Sequence, residues 1–590
     1  MRATSHIGVL TASLTLLSCG EVTQSKPTPK PNVLMILTDD QGWGDFGFNG
    51  NENIHTPVLD SLESVSAHLT NFYVTPLSAS TRAGLLTGCY NLRSGVLGVT
   101  RGAETMSSSQ TTLAEALGEA GYRTGCFGKW HNGAYYPQDA LGQGFDEFVG
   151  FNGGHIANYF STELLHQREA KKSEGYISDY LTDRAIEFMS KESENPFFCY
   201  VPYNAPHAPI QVPEEFYEPY KHLQTTPSDI TAGVYAMCAN IDYNVGRMLK
   251  FLEQSGSLSN TIVVFTTDNG PKNPRYNGSM RGVKGHLYEG GVKTPCLVYW
   301  RGRTIKTDID LTLSHIDIMP TILSACGVES PQGIDGIDFS SLLTGQENLA
   351  LVDSLESRYL FTHKSPSQTT LSMNESAVFN SRYKLVHRHS DNFELYDLKA
   401  DPNESEDIAM REPQVLADMK QELSTWFESV ELDYRANEVR SPSVGLLSEG
   451  VVLPAHEASF EAESLRYNAN KWGWAGDWFV DICADDRVFW SVDIATEACY
   501  QISLQYALPE GMDARVTVMG GEFVELEPFV TQSIPSPDIT PRGVAYEQSW
   551  GFQTIAEKHL SKGLHNIELN FEGCDISQLE LKGIQIKLKI

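Results

Sequence analysis

The chain is poor in positive charge. It sets 44 lysines and arginines against 75 acidic residues, a formal net charge of −31 over 590 residues. That balance excludes a general affinity for nucleic acid and other polyanions. If the substrate is an anion, the cations that hold it must be gathered in one place. Cysteine pairing motifs are missing too: the ten cysteines form no CxxC pair and no metal-like spacing, and setting Cys19 aside leaves an odd nine. Most of these read as small buried apolar groups, with Cys483 and Cys499 as one conceivable disulfide. Beyond the N-terminus there is no apolar run long enough to span a bilayer. At the N-terminus, Arg2, an apolar run from Ile7 to Leu17 and then LLSC read as a bacterial lipoprotein signal over residues 1–19. Cys19 is then the site of lipidation, which predicts a periplasmic or outer-membrane location, with plain secretory cleavage as the alternative. Residues 20–31, containing SKPTPKP, read as a semi-rigid tether.

What is present is alternation. From Asn32 apolar strand-like runs (NVLMIL, YRTGCF, PFFCYV, TIVVFT, CLVYW) alternate with helical stretches such as TLAEALGEAG, YLTDRAIEFM and a long amphipathic run ending at Gly256. That pattern predicts an α/β fold with a large, mixed, mostly parallel sheet between helices over residues 32–345. Polar residues gather where the strands end: Thr38, Asp39 and Asp40, then Lys129 and His131, then His207, then Asp268 and Asn269. Open α/β sheets bind their ligands at that edge. Residues 346–440 read as a small sheet with a closing helix, and 450–590 as short alternating strands without helices, an all-β sandwich of jelly-roll type. Trp472, Trp474, Trp478 and Trp490 lie in that last part and are candidates either for sugar stacking or for its core.

The stretch that organises these observations is SASTRAGLLTG, residues 78–88, read as a short helix closed by Gly88. Ser78 falls just before the predicted helix start and Arg82 one turn in, which places a hydroxyl and a guanidinium beside the same anion-favouring helix end. The stretch resembles the signature of type I, formylglycine-dependent sulfatases of the alkaline phosphatase superfamily. Ser78, Arg82, Leu85, Thr87 and Gly88 match it; Ser80 stands where that family has Pro or Ala. The resemblance covers roughly residues 31–435 and implies an alkaline-phosphatase-like fold with the family's small C-terminal sheet.

The resemblance implies a serine-type enzyme in which a maturase converts Ser78 to 3-oxoalanine (formylglycine). Asp39, Asp40, Asp268 and Asn269, with residue 78, would hold one Ca²⁺, a set of hard oxygen ligands that suits calcium or magnesium and not zinc. Lys129 and His131 match the family's sulfate-binding lysine and the histidine that serves formylglycine; His207 and Lys284 match the pair at the leaving oxygen. The implied reaction is hydrolysis of a sulfate ester, on a carbohydrate, through a gem-diol at position 78 and a covalent sulfo-enzyme intermediate. An unmodified serine lacks the second hydroxyl and would stop at a sulfate ester. Asp317 and His315 also match a sulfatase segment and are read as supporting structure. Two rival readings are a phosphodiesterase or phosphonate monoester hydrolase of the same superfamily, and a non-catalytic sulfated-glycan-binding protein.

Overall fold

The computed structural model describes residues 29–346, 348–365, 370–437, 441–446, 450–468, 477–541 and 546–589. Strand β1 (Asn32–Thr38) is buried along almost its whole length, as an unbroken apolar run requires of a strand covered on both faces. In chain order β2 (Ala67–Tyr73), β3 (Arg123–Lys129), β4 (Glu147–Phe151), β5 (Glu163–His166), β6 (Glu169–Lys172), β7 (Phe197–Pro202), β8 (Thr261–Thr267), β9 (Lys293–Trp300), β10 (Thr307–Ile309) and β11 (Leu313–Ser314) follow. They form one 11-stranded sheet in the order β10-β2-β9-β8-β1-β7-β3-β4-β5-β6, with β11 beside β2. β8, β1, β7, β3 and β4 are mutually parallel, whereas β9 and the β5–β6 hairpin run antiparallel to their neighbours. This is the mixed, mostly parallel sheet that the alternation predicts.

Successive β1 side chains divide between two layers. Val33, Met35 and Leu37 enter a core shared with Ala79, Ala83, Leu85 and Leu86 of the helix Ser78–Thr87. Leu34 and Ile36 enter another, shared with the long helix Thr231–Gln254. Helices on both faces leave the sheet one open edge, and the carboxyl ends of β8, β1, β7 and β3 lie next to one another there. β3 runs two residues beyond the predicted YRTGCF and takes in Gly128 and Lys129, so Lys129 is carried by the strand itself.

β12 (Leu360–His363), β13 (Ser376–Phe379), β14 (Tyr383–His389) and β15 (Asn392–Asp397) make a small antiparallel sheet. The helix Pro413–Ala436 packs on it through Met419, Leu423, Trp426 and Val430, in a core that also includes Tyr73 and Ile316 of the large domain. A buried ion network also joins the two parts. Lys384 Nζ lies 3.0 Å from both Glu289 Oε1 and Glu404 Oε1, and Tyr73 donates to Glu289 Oε2 at 3.0 Å. Lys384→Met leaves buried Glu404 without its counter-charge and Glu289 with only Lys293, 3.9 Å away, so a loss of about 3–5 kcal/mol in unfolding free energy is expected. Urea titration of the variant against wild type measures it, and an unchanged midpoint would refute the role given to the network.

The described residues from Ser443 onward form two six-stranded sheets. Their inner faces share one core, with Trp490, Val492 and Ile567 from one sheet and Ile502, Leu504 and Ile584 from the other. This is the expected β-sandwich. Trp478 is 2 % exposed and Trp490 3 %, so neither presents a ring to a sugar; Trp472 and Trp474 lie outside the described residues, as does Cys19. Cys483 and Cys499 are free thiols, as are the other described cysteines, which removes the conceivable disulfide. Among the described residues no helix is long and apolar enough to cross a membrane.

Candidate active site

Each strand at the open edge delivers its polar residues within one or a few positions of its last apolar residue. Asp39 and Asp40 follow β1, Lys129 ends β3 with His131 two residues on, His207 follows β7, and Asp268 and Asn269 follow β8. The helix start lies among them. Leu77 is the N-cap and Ser78 the first helical residue, one position later in the helix than the sequence predicts, while Gly88 closes it in the left-handed conformation at φ 68°. All ten residues of this helix are buried, Ser80 included.

Ser78 Oγ is the hub. It donates to Asp268 Oδ2 at 2.5 Å, accepts from Arg82 Nε at 2.9 Å and lies 3.3 Å from His131 Nδ1. Arg82, wholly buried, also donates to Asp268 Oδ2 and to the Lys129 carbonyl, each at 2.9 Å. Burial opposes its charge, but Asp268 and Asp39 outweigh burial and hold the guanidinium firmly protonated. Lys129 Nζ reaches Asp39 Oδ2 at 2.6 Å, and Lys284 Nζ reaches Asp40 Oδ1 at 2.5 Å. Burial pushes the Lys129 ammonium below its ordinary range against the pull of Asp39. Lys284 is raised despite burial, because Asp40, Asp39 and Asp268 all face it.

The two histidines have defined tautomers. His131 Nε2 lies 2.9 Å from the Val99 carbonyl, which only accepts, so Nε2 carries the hydrogen and the Nδ1 lone pair faces Ser78. His207 Nδ1 lies 2.7 Å from the Ala208 carbonyl, so there Nδ1 carries the hydrogen and Nε2, 3.8 Å from Asp40 Oδ2, is free. Burial, with Lys129, Arg82 and Lys284 nearby, drives His131 well below the usual imidazole range. Burial, with Lys284 and Lys129, takes His207 to about 3 against the pull of Asp40. Asp40 and His131 both have left-handed backbones, at φ 67° and 63°, strain that clusters where side chains must be aimed.

Three of the four residues expected to hold a cation have an oxygen to spare, while both Asp268 oxygens already accept hydrogen bonds. Asp39 Oδ1, Asp40 Oδ2 and Asn269 Oδ1 are buried with no hydrogen-bond partner, and buried carboxylate and amide oxygens are costly to leave so. Their other atoms are fixed. Asn269 Nδ2 donates to Asp40 Oδ1 at 2.8 Å, and the Asp40 amide donates to Asp268 Oδ1 at 3.2 Å. Burial would push Asp40 up, yet Lys284, His207 and Asn269 hold it far below the carboxylate range. Asp268 is raised by burial and by Asp39, against Arg82 and Lys129. Three carboxylates (Asp39, Asp40, Asp268) face three cations (Arg82, Lys129, Lys284). A divalent cation on the free oxygens would leave the site with the net positive charge an anionic ester needs.

Every predicted site residue thus lies in this cluster. Asp317 and His315 lie outside it: Asp317 pairs with Arg358 and accepts from the Ile337 and Ser314 amides. Sequence reasoning missed Arg275, which clamps Asp45 at 2.7 Å and supports the Asp40 carbonyl at 2.9 Å. It also missed Asn204, a buried amide with neither polar atom partnered, three residues before His207. Asn204 sits in the run YNAPH, residues 203–207, where its nearness to His207 was the available signal; nothing in the sequence marked the Val99 carbonyl.

Comparison with known proteins gives a consistent picture. The sulfatase family pattern matches residues 31–328, and the pattern of the C-terminal part of N-sulphoglucosamine sulphohydrolase matches residues 283–429. The uncharacterized sulfatase YdeN of Escherichia coli K12 is 29 % identical over 474 residues, covering 66 % of this chain and 84 % of its own. N-acetylgalactosamine-6-sulfatase of Mus musculus is 31 % identical over 376 residues, covering 56 % and 70 %. Among solved structures, Ps i-CgsB in complex with k-i-k-neocarrahexaose is 25 % identical, with a TM-score of 0.62 over 69 % of this chain and 97 % of its own.

Proposed function

Because this chain belongs to the sulfatase family and is a sulfate-ester hydrolase, we propose that it removes sulfate from a carbohydrate at residue 78, by way of a serine oxidised to formylglycine. The observation that carries the reading is the convergence on Ser78 Oγ of an acceptor carboxylate, a guanidinium and the bare nitrogen of a histidine. Asp39, Asp40, Asp268 and Asn269 would hold calcium, which when bound raises the acidity of the residue-78 oxygen and offsets the charge of the sulfate. The aldehyde at position 78, when hydrated, supplies an attacking hydroxyl and a second hydroxyl. Arg82, Lys129 and Lys284 gather cationic charge around the sulfate oxygens. Nδ1 of His131 is the acceptor for a proton from the residue-78 oxygen, since its other nitrogen is already capped. His207 Nε2 and the Lys284 ammonium face the leaving oxygen. The imidazole is neutral in the free site and gains basicity when an anionic ester is placed beside it.

A carbohydrate substrate is supported by the relatives: one is an N-acetylgalactosamine-6-sulfatase, another was solved with a neocarrahexaose. Lys129 Nζ lies 2.6 Å from Asp39, a cation where a two-metal phosphatase would carry further metal ligands, which favours sulfate over two-metal phosphatase chemistry. Cell-envelope placement through Cys19 and dependence on a maturase rest on the sequence. The experiment is a side-by-side assay of sulfate and phosphate esters with metal analysis, on chain co-expressed with a formylglycine-forming maturase. Sulfate release that a chelator abolishes and calcium restores is expected; a preference for phosphate esters, or restoration by zinc alone, would overturn the reading.

A further inference from the structure

The β-sandwich grips the two loops that carry the histidines. On the His207 side, Gln211 Nε2 donates to Ser536 Oγ and Asp538 Oδ1, each at 2.6 Å, and the Ile539 amide donates to the Ile210 carbonyl at 2.9 Å. On the His131 side, Tyr135 Oη donates to the Val452 carbonyl at 3.0 Å, and the Ser443 amide to the Tyr136 carbonyl at 3.2 Å. Anchored at both places, the sandwich is a fixed wall beside the catalytic edge.

One further contact reaches the chemistry. Val99, whose carbonyl caps His131 Nε2, sits in a tight loop in which the Leu97 and Gly98 amides both donate to the Ala103 carbonyl, at 2.8 and 2.9 Å. At its tip Arg101 and Gly102 both have left-handed backbones, φ 61° and 80°, in a turn that the Ala103 amide closes on the Thr100 carbonyl at 3.2 Å. The side chain at this tip is tied to the sandwich: Arg101 Nη2 donates to Asp477 Oδ1 at 3.1 Å, and its guanidinium lies 3.8 Å over the Tyr467 ring. Asp477 is 5 % exposed whereas the Arg101 side chain is 37 % exposed, so the pair is buried on the sandwich side only and the Tyr467 ring shares in holding the guanidinium. The Val99 carbonyl lies two residues from this anchor, and it is the acceptor that keeps the hydrogen on His131 Nε2.

We propose that the β-sandwich is a positioning part of the catalytic apparatus, orienting His131 through Arg101 with Asp477 and Tyr467. This rests on the reading of His131 as the proton acceptor at residue 78. It assigns Arg101 no contact with substrate.

The test uses the full, maturase-treated chain with p-nitrophenyl sulfate as probe. Arg101→Ala and Asp477→Ala are each expected to lose about 10- to 100-fold in kcat, as a shifted catalytic group does, with KM little changed. The double variant is expected to be no worse than either single one, because the two residues act as a unit. Arg101→Lys, which keeps the charge pair, is expected to recover part of kcat. Spectra of chain carrying ¹⁵N-labelled histidine report on the ring independently of turnover: one Nε2–H tautomer for His131 in wild type, a mixture in the two alanine variants. Unchanged kcat with an unchanged His131 signal overturns the proposal. A rise in KM alone overturns it too, since Arg101 would then touch substrate, and so do additive losses in the double variant. If wild type releases no sulfate the reading of the site fails, while the ring spectrum still decides whether the sandwich orients His131.

Discussion

Ser78→Ala is expected to abolish sulfate release, with turnover down by about 10⁴-fold or more, as loss of a nucleophile generally produces. The reason is local. Ser78 Oγ is the atom on which Asp268, Arg82 and His131 converge, at 2.5, 2.9 and 3.3 Å, and alanine offers neither an oxygen nor a carbon that can be oxidised to the aldehyde. The fold should survive. Alanine suits the first turn of a helix, and Arg82 keeps its bonds to Asp268 and the Lys129 carbonyl. Ser78→Cys separates chemistry from packing: a maturase able to oxidise cysteine restores activity to it and not to the alanine variant. Initial rates on p-nitrophenyl sulfate measure both, and an alanine variant within tenfold of wild type would contradict the role given to residue 78.

The second large effect concerns the leaving group. His207→Ala should cost about 10²–10⁴-fold on sulfates of basic alcohols, the usual worth of general acid catalysis, and much less on p-nitrophenyl sulfate, whose phenolate departs unaided. The geometry that supports this is the Nδ1 bond to Ala208, which leaves Nε2 free on the side of Asp40 and Lys284 with 22 % of the side chain exposed to the cleft. A series of substituted phenyl sulfates reads the effect as a steeper dependence of kcat on leaving-group basicity. An equal loss across the series would place His207 elsewhere in the mechanism.

Much of this site was legible in the sequence because strands announce their ends. NVLMIL and TIVVFT are apolar apart from their end residues, so the Asp39–Asp40 and Asp268–Asn269 pairs that follow them have to lie at the sheet edge, and the parallel order β8-β1-β7-β3 makes those edges one place. The helix at 78–88 was readable from Gly88, though its first residue is Ser78 itself and not the one after. What the sequence hid are interactions that depend on distant backbone. The cap on His131 is a carbonyl, which any residue at position 99 supplies, and the Arg275 to Asp45 clamp joins segments 230 residues apart. The tryptophans left two readings open for a physical reason: an indole serves a sandwich core as well as a sugar platform, and burial decides for the core at Trp478 and Trp490. The role of the sandwich was hidden likewise, since Asp477 and Arg101 are ordinary charged residues until the fold puts them 3.1 Å apart.

Calcium, cations and histidines all presuppose one chemical event, the oxidation of Ser78, and Ser80 in place of the family's Pro or Ala makes that event the point to test. Mass spectrometry of the peptide spanning residues 71–93 from maturase-treated chain decides it. A species lighter than the encoded sequence by two hydrogens, with the change mapped to Ser78 by fragmentation, is the predicted result; unmodified serine in that peptide from a host with a working maturase would contradict it.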